Sequence, residues 1–248
     1  MILSASGVSK SFGGLQAVRD ASLDVEPGRI VSLIGPNGAG KTTLFALITG
    51  FHLPDAGTVT FDGADITGRA PEEIARLGMV RTFQIVQPFA GQTVRDNIAV
   101  GAHLHHAGRR EALAKAEEVA TRVGLGDRLD MDAASLTVAG RKRLEVAKAL
   151  ATEPKLILLD EVMAGLNPSE VRDVIPIIRA IRDSGITIVL IEHVMQAVMS
   201  LSEFTYVLNQ GQIIASGSPE EVTRDPAVIE AYLGHGMAEQ VAKGAADA

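Results

Sequence analysis

The 248-residue chain has no cysteine and no tryptophan, and only 4% of its residues are aromatic. Without cysteine there is no disulfide, no thiolate metal site and no cysteine nucleophile, a composition that suits a reducing compartment. Long apolar runs are missing as well, and none approaches the roughly 18 residues needed to cross a bilayer. The opening Met1-Ile2-Leu3-Ser4 lacks a charged segment followed by an apolar one, so neither a secretion signal nor a membrane span is expected. If the protein works at a membrane, another chain must hold it there. Positive charge is scarce: 23 Lys+Arg stand against 30 Asp+Glu, the net charge is -7, and no basic run exceeds Arg141-Lys142-Arg143. A nucleic-acid partner held by phosphate neutralisation is therefore disfavoured. What is present is 46% hydrophobic residues. A chain of this length buries roughly three quarters of its unfolded surface, enough for one large domain or a core with a smaller unit appended.

Periodicity organises the rest. Residues 28–34 and 57–61 read as strands, the second ending at an Asp62-Gly63 turn, and between them 41–48 reads as a helix closing near Gly50. A short helix is expected from Pro71 to Gly78, with Glu72 and Glu73 complementing its dipole. From about Asp96 to Leu150 the pattern turns helical, with breaks at Gly101, Gly108, Gly124 and Gly126, which predicts a mostly helical insertion. Two intensely apolar runs, 156–159 and 186–191, flank a helical stretch at 169–182. Apolar strands alternating with helices predict an α/β fold with a parallel sheet covered on both faces. Residues 204–208 and 212–215 read as a hairpin, Ser218-Pro219-Glu220-Glu221 has capping-box spacing, and Asp225-Pro226 opens a last helix closed by Gly234. Beyond Gly236 the chain is small, polar and expected to fray.

The strongest chemical signal is Gly35-Pro36-Asn37-Gly38-Ala39-Gly40-Lys41-Thr42, followed by Thr43. It fits G-x-x-x-x-G-K-[ST] and lies between a predicted strand and a predicted helix, the context that such a phosphate loop requires. Glycines let successive N–H groups point at phosphate oxygens, and the helix N-terminus adds a favourable dipole. Lys41 is then expected to reach the β- and γ-phosphates and the Thr42 hydroxyl to coordinate Mg²⁺. A second signal is the apolar run 156–159 delivering Asp160 and Glu161 at its C-terminal end, where open α/β sheets place ligands. Asp160 suits the holding of Mg²⁺ through water, and Glu161 the polarising of the attacking water. A strand ending in Asp-Glu is by itself often a solvated loop; the phosphate loop upstream is what raises it to a site.

Further segments in order narrow the family: Arg81-Thr82-Phe83-Gln84, then 136–143, Ala164-Gly165-Leu166-Asn167-Pro168, and His193 after the 186–191 run. With these the chain resembles an ATP-binding cassette subunit over roughly residues 1–234. The resemblance implies a P-loop NTPase core of RecA type (1–84 and 151–234) with an N-terminal antiparallel β subdomain, an inserted helical signature subdomain (85–150) and a disordered tail (235–248). It implies that Phe12 stacks on adenine with Val18 beside it, that Gln84 senses Mg²⁺ and water, that Glu161 is the base and that His193 contacts the γ-phosphate. Thr137, Val138, Ala139 and Gly140 would complete the site of an opposite cassette, with Asn167 in the loop that follows the catalytic carboxylates. The implied cofactors are ATP and Mg²⁺. The implied partners are a second cassette, of the same or a related chain, transmembrane permease subunits and, indirectly, a solute-binding protein, with the chain peripheral at the cytoplasmic face of the membrane. Finer matches, including Ile191-Glu192-His193 and residues 228–234, look like the ATPase of branched-chain amino acid importers.

Departures are equally legible. The usual Leu-Ser-Gly-Gly-Gln is replaced by Leu136-Thr137-Val138-Ala139-Gly140, which keeps a hydroxyl and backbone N–H groups but loses paired-glycine freedom and the glutamine. Val162 stands where proline usually follows the catalytic glutamate. The altered signature leaves open a cassette that hydrolyses poorly and pairs with a more active one, and the resemblance leaves open a cassette serving urea, amides or other small acids. A cassette working without a transporter is disfavoured, since 248 residues hold neither a long coiled coil nor a second cassette. The triplet Arg141-Lys142-Arg143 reads as a solvated helix face, and His103-Leu104-His105-His106 as an exposed one rather than a metal site.

Overall fold

The first 25 residues fold as a hairpin because their apolar side chains alternate. In β1 (Leu3–Phe12) Leu3, Ala5 and Val8 are buried, and in β2 (Leu15–Val25) so are Val18, Ala21, Leu23 and Val25, while their neighbours are more exposed. That is the pattern of an antiparallel sheet with one wet face. The computed structural model describes residues 1–83 and 87–233. After the hairpin, β3 (Ile30–Ile34) leads through a glycine loop into α1 (Lys41–Ile48). The strands β4 (Ala56–Phe61) and β5 (Ala64–Asp65) return to the first sheet, whose order is β2-β1-β4-β5. Next come α2 (Pro71–Leu77), the three-residue edge strand β6 (Met79–Arg81), and three helices, α3 (Val94–Ala102), α4 (Arg109–Arg122) and α5 (Val138–Leu150).

The chain then re-enters the core with β7 (Leu156–Asp160), α6 (Pro168–Asp183), β8 (Thr187–Ile191) and α7 (Met195–Leu201), and closes with β9 (Phe204–Asn209), β10 (Gln212–Gly217), α8 (Pro219–Arg224) and α9 (Pro226–Leu233). The second sheet has the order β10-β9-β3-β8-β7-β6, parallel except for the terminal β9–β10 hairpin. Every residue of β3, β7 and β8 is buried, as expected of central strands covered on both faces. Register brings their C-terminal ends together: Leu33 and Asp160 both pair with Ile191. Three consecutive loops therefore leave the same edge of the sheet, where ligands of open α/β sheets bind.

The helices α3 to α5 do not form a core of their own. Val94, Ile98, Ala116, Val119 and Leu144 belong to one apolar cluster with Ile157, Leu159, Ile188 and Leu190, from one face of the parallel sheet. Gly101, expected to break a helix, lies inside α3, where an added Cβ would fall 2.3 Å from the Lys148 carbonyl oxygen of α5. It marks close helix packing rather than a boundary. No helix among the described residues is long and apolar enough to cross a membrane.

Candidate active site

The loop after β3 is shaped by lack of space. Gly35 (φ 149°) and Gly40 (φ 102°) hold backbone conformations that side chains rarely adopt, and a Cβ on them would lie 2.0 Å from the Leu208 carbonyl oxygen and 2.3 Å from that of Ala17. The loop is thus wedged between β2 and β9, and only glycine passes. Lys41, at the start of α1, is 6% exposed and donates to the carbonyl oxygens of Gly35 (2.8 Å) and Pro36 (3.0 Å). Burial lowers its pKa, opposed by the negative charge of Glu161 and Asp160. An ammonium held this way, with α1 adding its N-terminal dipole, is poised for anionic oxygens.

Above the loop opens a cleft of about 1290 Å³, into which Asn37, Gly38, Ala39, Gly40, Lys41, Thr42, Thr43, Glu161 and His193 all project. Phe12 forms its outer wall, 42% exposed, with its ring edge-on to His52 at 5.2 Å. Val18 does not line the cleft with it. That side chain is fully buried in the sheet core, and Ala17, one residue earlier on the opposite face of the strand, lines the cleft instead. Gly35 and Pro36 contribute carbonyls to Lys41 rather than cleft surface.

At the end of β7, Asp160 is fully buried and its Oδ2 pairs with Arg81 at 2.8 Å. The Arg81 guanidinium lies 5.6 Å from the Phe51 ring centre and 5.3 Å from that of Phe83, and Asp160 donates its backbone N–H to the Thr82 hydroxyl. Burial raises the Asp160 pKa, and Arg81 counteracts it. The second carboxylate oxygen, Oδ1, is buried without a partner, and Asp160 and Thr42 border a common hollow of about 490 Å³. An orphaned carboxylate oxygen near a threonine hydroxyl is a donor set for a hard cation such as Mg²⁺. Glu161 has left-handed backbone (φ 51°), uncommon for a residue with a side chain. It is held by its N–H to the Ile191 carbonyl (3.0 Å), by Lys142 Nζ donating to its carbonyl (2.8 Å), and by its Oε1 lying 2.9 Å from His193 Nε2. A carboxylate and an imidazole thus face the phosphate loop across one cleft, as removal of a proton from water near a phosphate requires.

Comparison with known proteins resolves what such a cleft belongs to. Residues 18–164 match the family model described as ABC transporter. The chain belongs to that family. It is an ATP-binding cassette, and cassettes of this family are ATPases. Residues 212–238 match a second model, described as branched-chain amino acid ATP-binding cassette transporter. The chain is 41% identical to the high-affinity branched-chain amino acid transport ATP-binding protein LivG of Escherichia coli K12, over 94% of this chain and 98% of that protein. BraF of Pseudomonas aeruginosa, with the same description, matches at the same identity and coverage. Among solved structures, the ADP conformation of MJ1267, an ATP-binding cassette of an ABC transporter, superposes with a TM-score of 0.86 at 34% identity, covering 94% of this chain and 99% of that one.

Other expected cassette residues lie away from the cleft. Thr137 is the N-cap of α5, its hydroxyl accepting from the Gly140 N–H, and Val138 beside it is 58% exposed. Asn167 caps α6, accepting from the N–H groups of Ser169 and Glu170. Gln84 lies outside the described residues. The basic triplet is not a solvated face. Lys142 is buried against the Glu161 carbonyl, and Arg141 donates to the carbonyls of Leu136 and Ala134. Sequence reasoning also gave no role to Arg81 or to Glu192. Each is a charged residue touching the end of a wholly apolar strand, a signal in itself, but their partners lie 79 and 29 positions away.

Proposed function

We propose that this chain is the ATP-hydrolysing subunit of an importer for branched-chain amino acids or a closely related small polar solute. The observation that carries the reading is the 41% identity to LivG and BraF over 94% of the chain, together with the second family match at 212–238. In the cleft, Lys41, the loop N–H groups and Thr43 bind the phosphates and Phe12 stacks on the base, while Thr42 and Asp160, at the hollow they share, would hold Mg²⁺, Asp160 through water. Mg²⁺ supplies charge neutralisation on the phosphates when bound. Gln84 completes the sensing of metal and water. Glu161 takes the proton from the attacking water, and His193, hydrogen-bonded to it, holds that carboxylate toward the γ-phosphate. Two cassettes pair head to tail, and Thr137, Val138, Ala139 and Gly140 of one complete the site of the other. Residues 85–150 act as the helical subdomain against 1–84 and 151–234, with permease subunits spanning the membrane, a solute-binding protein beyond them, and this chain peripheral at the cytoplasmic face.

The exposed Val138 and the missing glycine pair favour a second arrangement, in which this chain joins a different cassette and the two sites turn over unequally. Purified chain with and without candidate membrane subunits and a second cassette separates the readings. Mg²⁺-dependent hydrolysis that rises with protein concentration in the chain alone supports the symmetric pair. Turnover only on adding another cassette supports the unequal one. Uptake of leucine, isoleucine or valine by the reconstituted complex, lost with Lys41→Ala, supports the solute assignment, and uptake of urea or amides instead refutes it.

A further inference from the structure

Immediately before His193 stands a carboxyl group with no obvious part in this chemistry. Glu192 is 1% exposed. Its Oε1 accepts from the Met163 N–H at 3.0 Å, and the His193 N–H also donates to its carboxyl. Its Oε2 is buried with no partner. Met163 lies two residues after Glu161, whose own N–H is bound to the Ile191 carbonyl at the end of the strand that carries Glu192. The carboxyl therefore stands behind the Glu161–His193 pair and joins the two loops from which the pair projects.

Burying an ionisable group is expensive, and the amide oxygen of the isosteric glutamine would accept the Met163 bond at less cost. Fold stability alone does not call for glutamate here. We propose that Glu192 is a positioning residue for hydrolysis, bracing the Met163 turn against the His193 loop so that Glu161 and His193 stay aligned on the cleft. The proposal rests on Glu161 acting as the base. A second consequence follows from its surroundings: Glu161 from the β7 turn and Lys142 from α5 are the charged groups facing it, with His193 beside it on its own loop. Burial pushes its carboxyl up to about 7, so its charge changes near neutral pH within reach of the reacting groups.

The test compares Mg·ATP hydrolysis by full-length wild type, E161Q, E192A and E192Q across pH 5.5 to 9, with nucleotide affinity measured separately. Misalignment of about 1 Å costs on the order of 10²-fold, so E192A is expected to lower kcat by about that factor while leaving ATP affinity within roughly threefold. E192Q, which keeps an acceptor for Met163 but cannot ionise, is expected to recover most of the loss and to lack any inflection that Glu192 gives the wild type near pH 7. An E192A kcat within roughly threefold of wild type, or a loss carried equally by affinity, overturns the proposal. If E192A does not fold, E192M, which fills the space without an acceptor for Met163, takes its place, and a kcat within roughly threefold of wild type overturns the proposal. E161Q at full turnover overturns the base assignment and the brace together. E161Q inactive beside a normal E192A overturns the brace alone.

Discussion

The strand ends that carry Lys41, Asp160, Glu161 and His193, and the N-terminus of α5 that carries Thr137, are both assigned to nucleotide chemistry in the proposed function, yet they are supported in different ways. The first group is tied by long-range bonds into a sheet whose central strands are wholly buried: Arg81 to Asp160, Lys142 to Glu161, Met163 to Glu192. Ahead of Lys142, the residues opening α5 make short-range bonds, Gly140 to Thr137 and Arg141 to Leu136 and Ala134, all within seven residues. A site assembled from distant segments is fixed by the fold, whereas a cap leaves its exposed neighbour free to vary. That is why Val138 can depart from the family pattern without disturbing any contact in the cleft.

The largest effect expected is on chemistry. Glu161→Gln should cut turnover by about 10²–10⁴-fold while leaving ATP binding intact, and near-normal hydrolysis by the variant would remove the catalytic half of the comparison. Next, Asp160→Ala strands the Arg81 guanidinium in the core and should cost about 3–5 kcal/mol in denaturant unfolding. The double variant D160A/R81M should recover much of that, because no charge is left buried alone. Equal instability of the single and double variants would show that the pair is not what anchors the strand end.

Glu192 sharpens the contrast through pH. Its folded pKa, about 7, lies above the ordinary 4.5, so its contribution to stability is fully present below pH 4.5 and is lost as pH rises through 7. A shift of this size corresponds to about 3 kcal/mol, so wild type should lose about that much relative to E192Q between pH 4.5 and 8 in paired unfolding curves. A constant difference across that range would mean that the carboxyl does not titrate with folding. The smallest effect belongs to the α5 end: Thr137→Ala removes a cap worth about 1 kcal/mol and should leave nucleotide affinity of the single chain unchanged. A loss of affinity would show that the cap, and not only Lys142 further along α5, bears on the cleft.

Much of this was legible in the sequence. Lys41–Ile48, the run ending at Asp160, the run ending at Ile191 and the closing hairpin are local patterns of period 3.6 or 2, and the elements form where those patterns lie. The phosphate loop was readable because its glycines, lysine and threonine stand at fixed spacing within eight residues, although the Leu208 and Ala17 carbonyls that leave room only for glycine lie far off in sequence. What escaped was non-local. The edge strand β6 has three residues, too few for periodicity, and α7 follows a strand without a capping side chain. The basic triplet looked like a solvated face because nothing near it in sequence shows that Lys142 reaches the Glu161 carbonyl, 19 residues on. Val18 went astray for a simpler reason: strand side chains alternate, and being one residue off exchanges cleft for core.

The left-handed backbone at Glu161 has a consequence for how such a protein can change. Glycine or asparagine would sit there more comfortably, since the conformation costs an ordinary L-residue roughly 1–2 kcal/mol. A population screened for robustness alone, by heat or protease survival, should drift toward those residues at 161 and lose turnover as it hardens. On the proposed role as base, the carboxylate at 161 is held against the preference of the fold, and recovery of Glu161 after such drift would be a sensitive reporter of selection for work rather than for endurance.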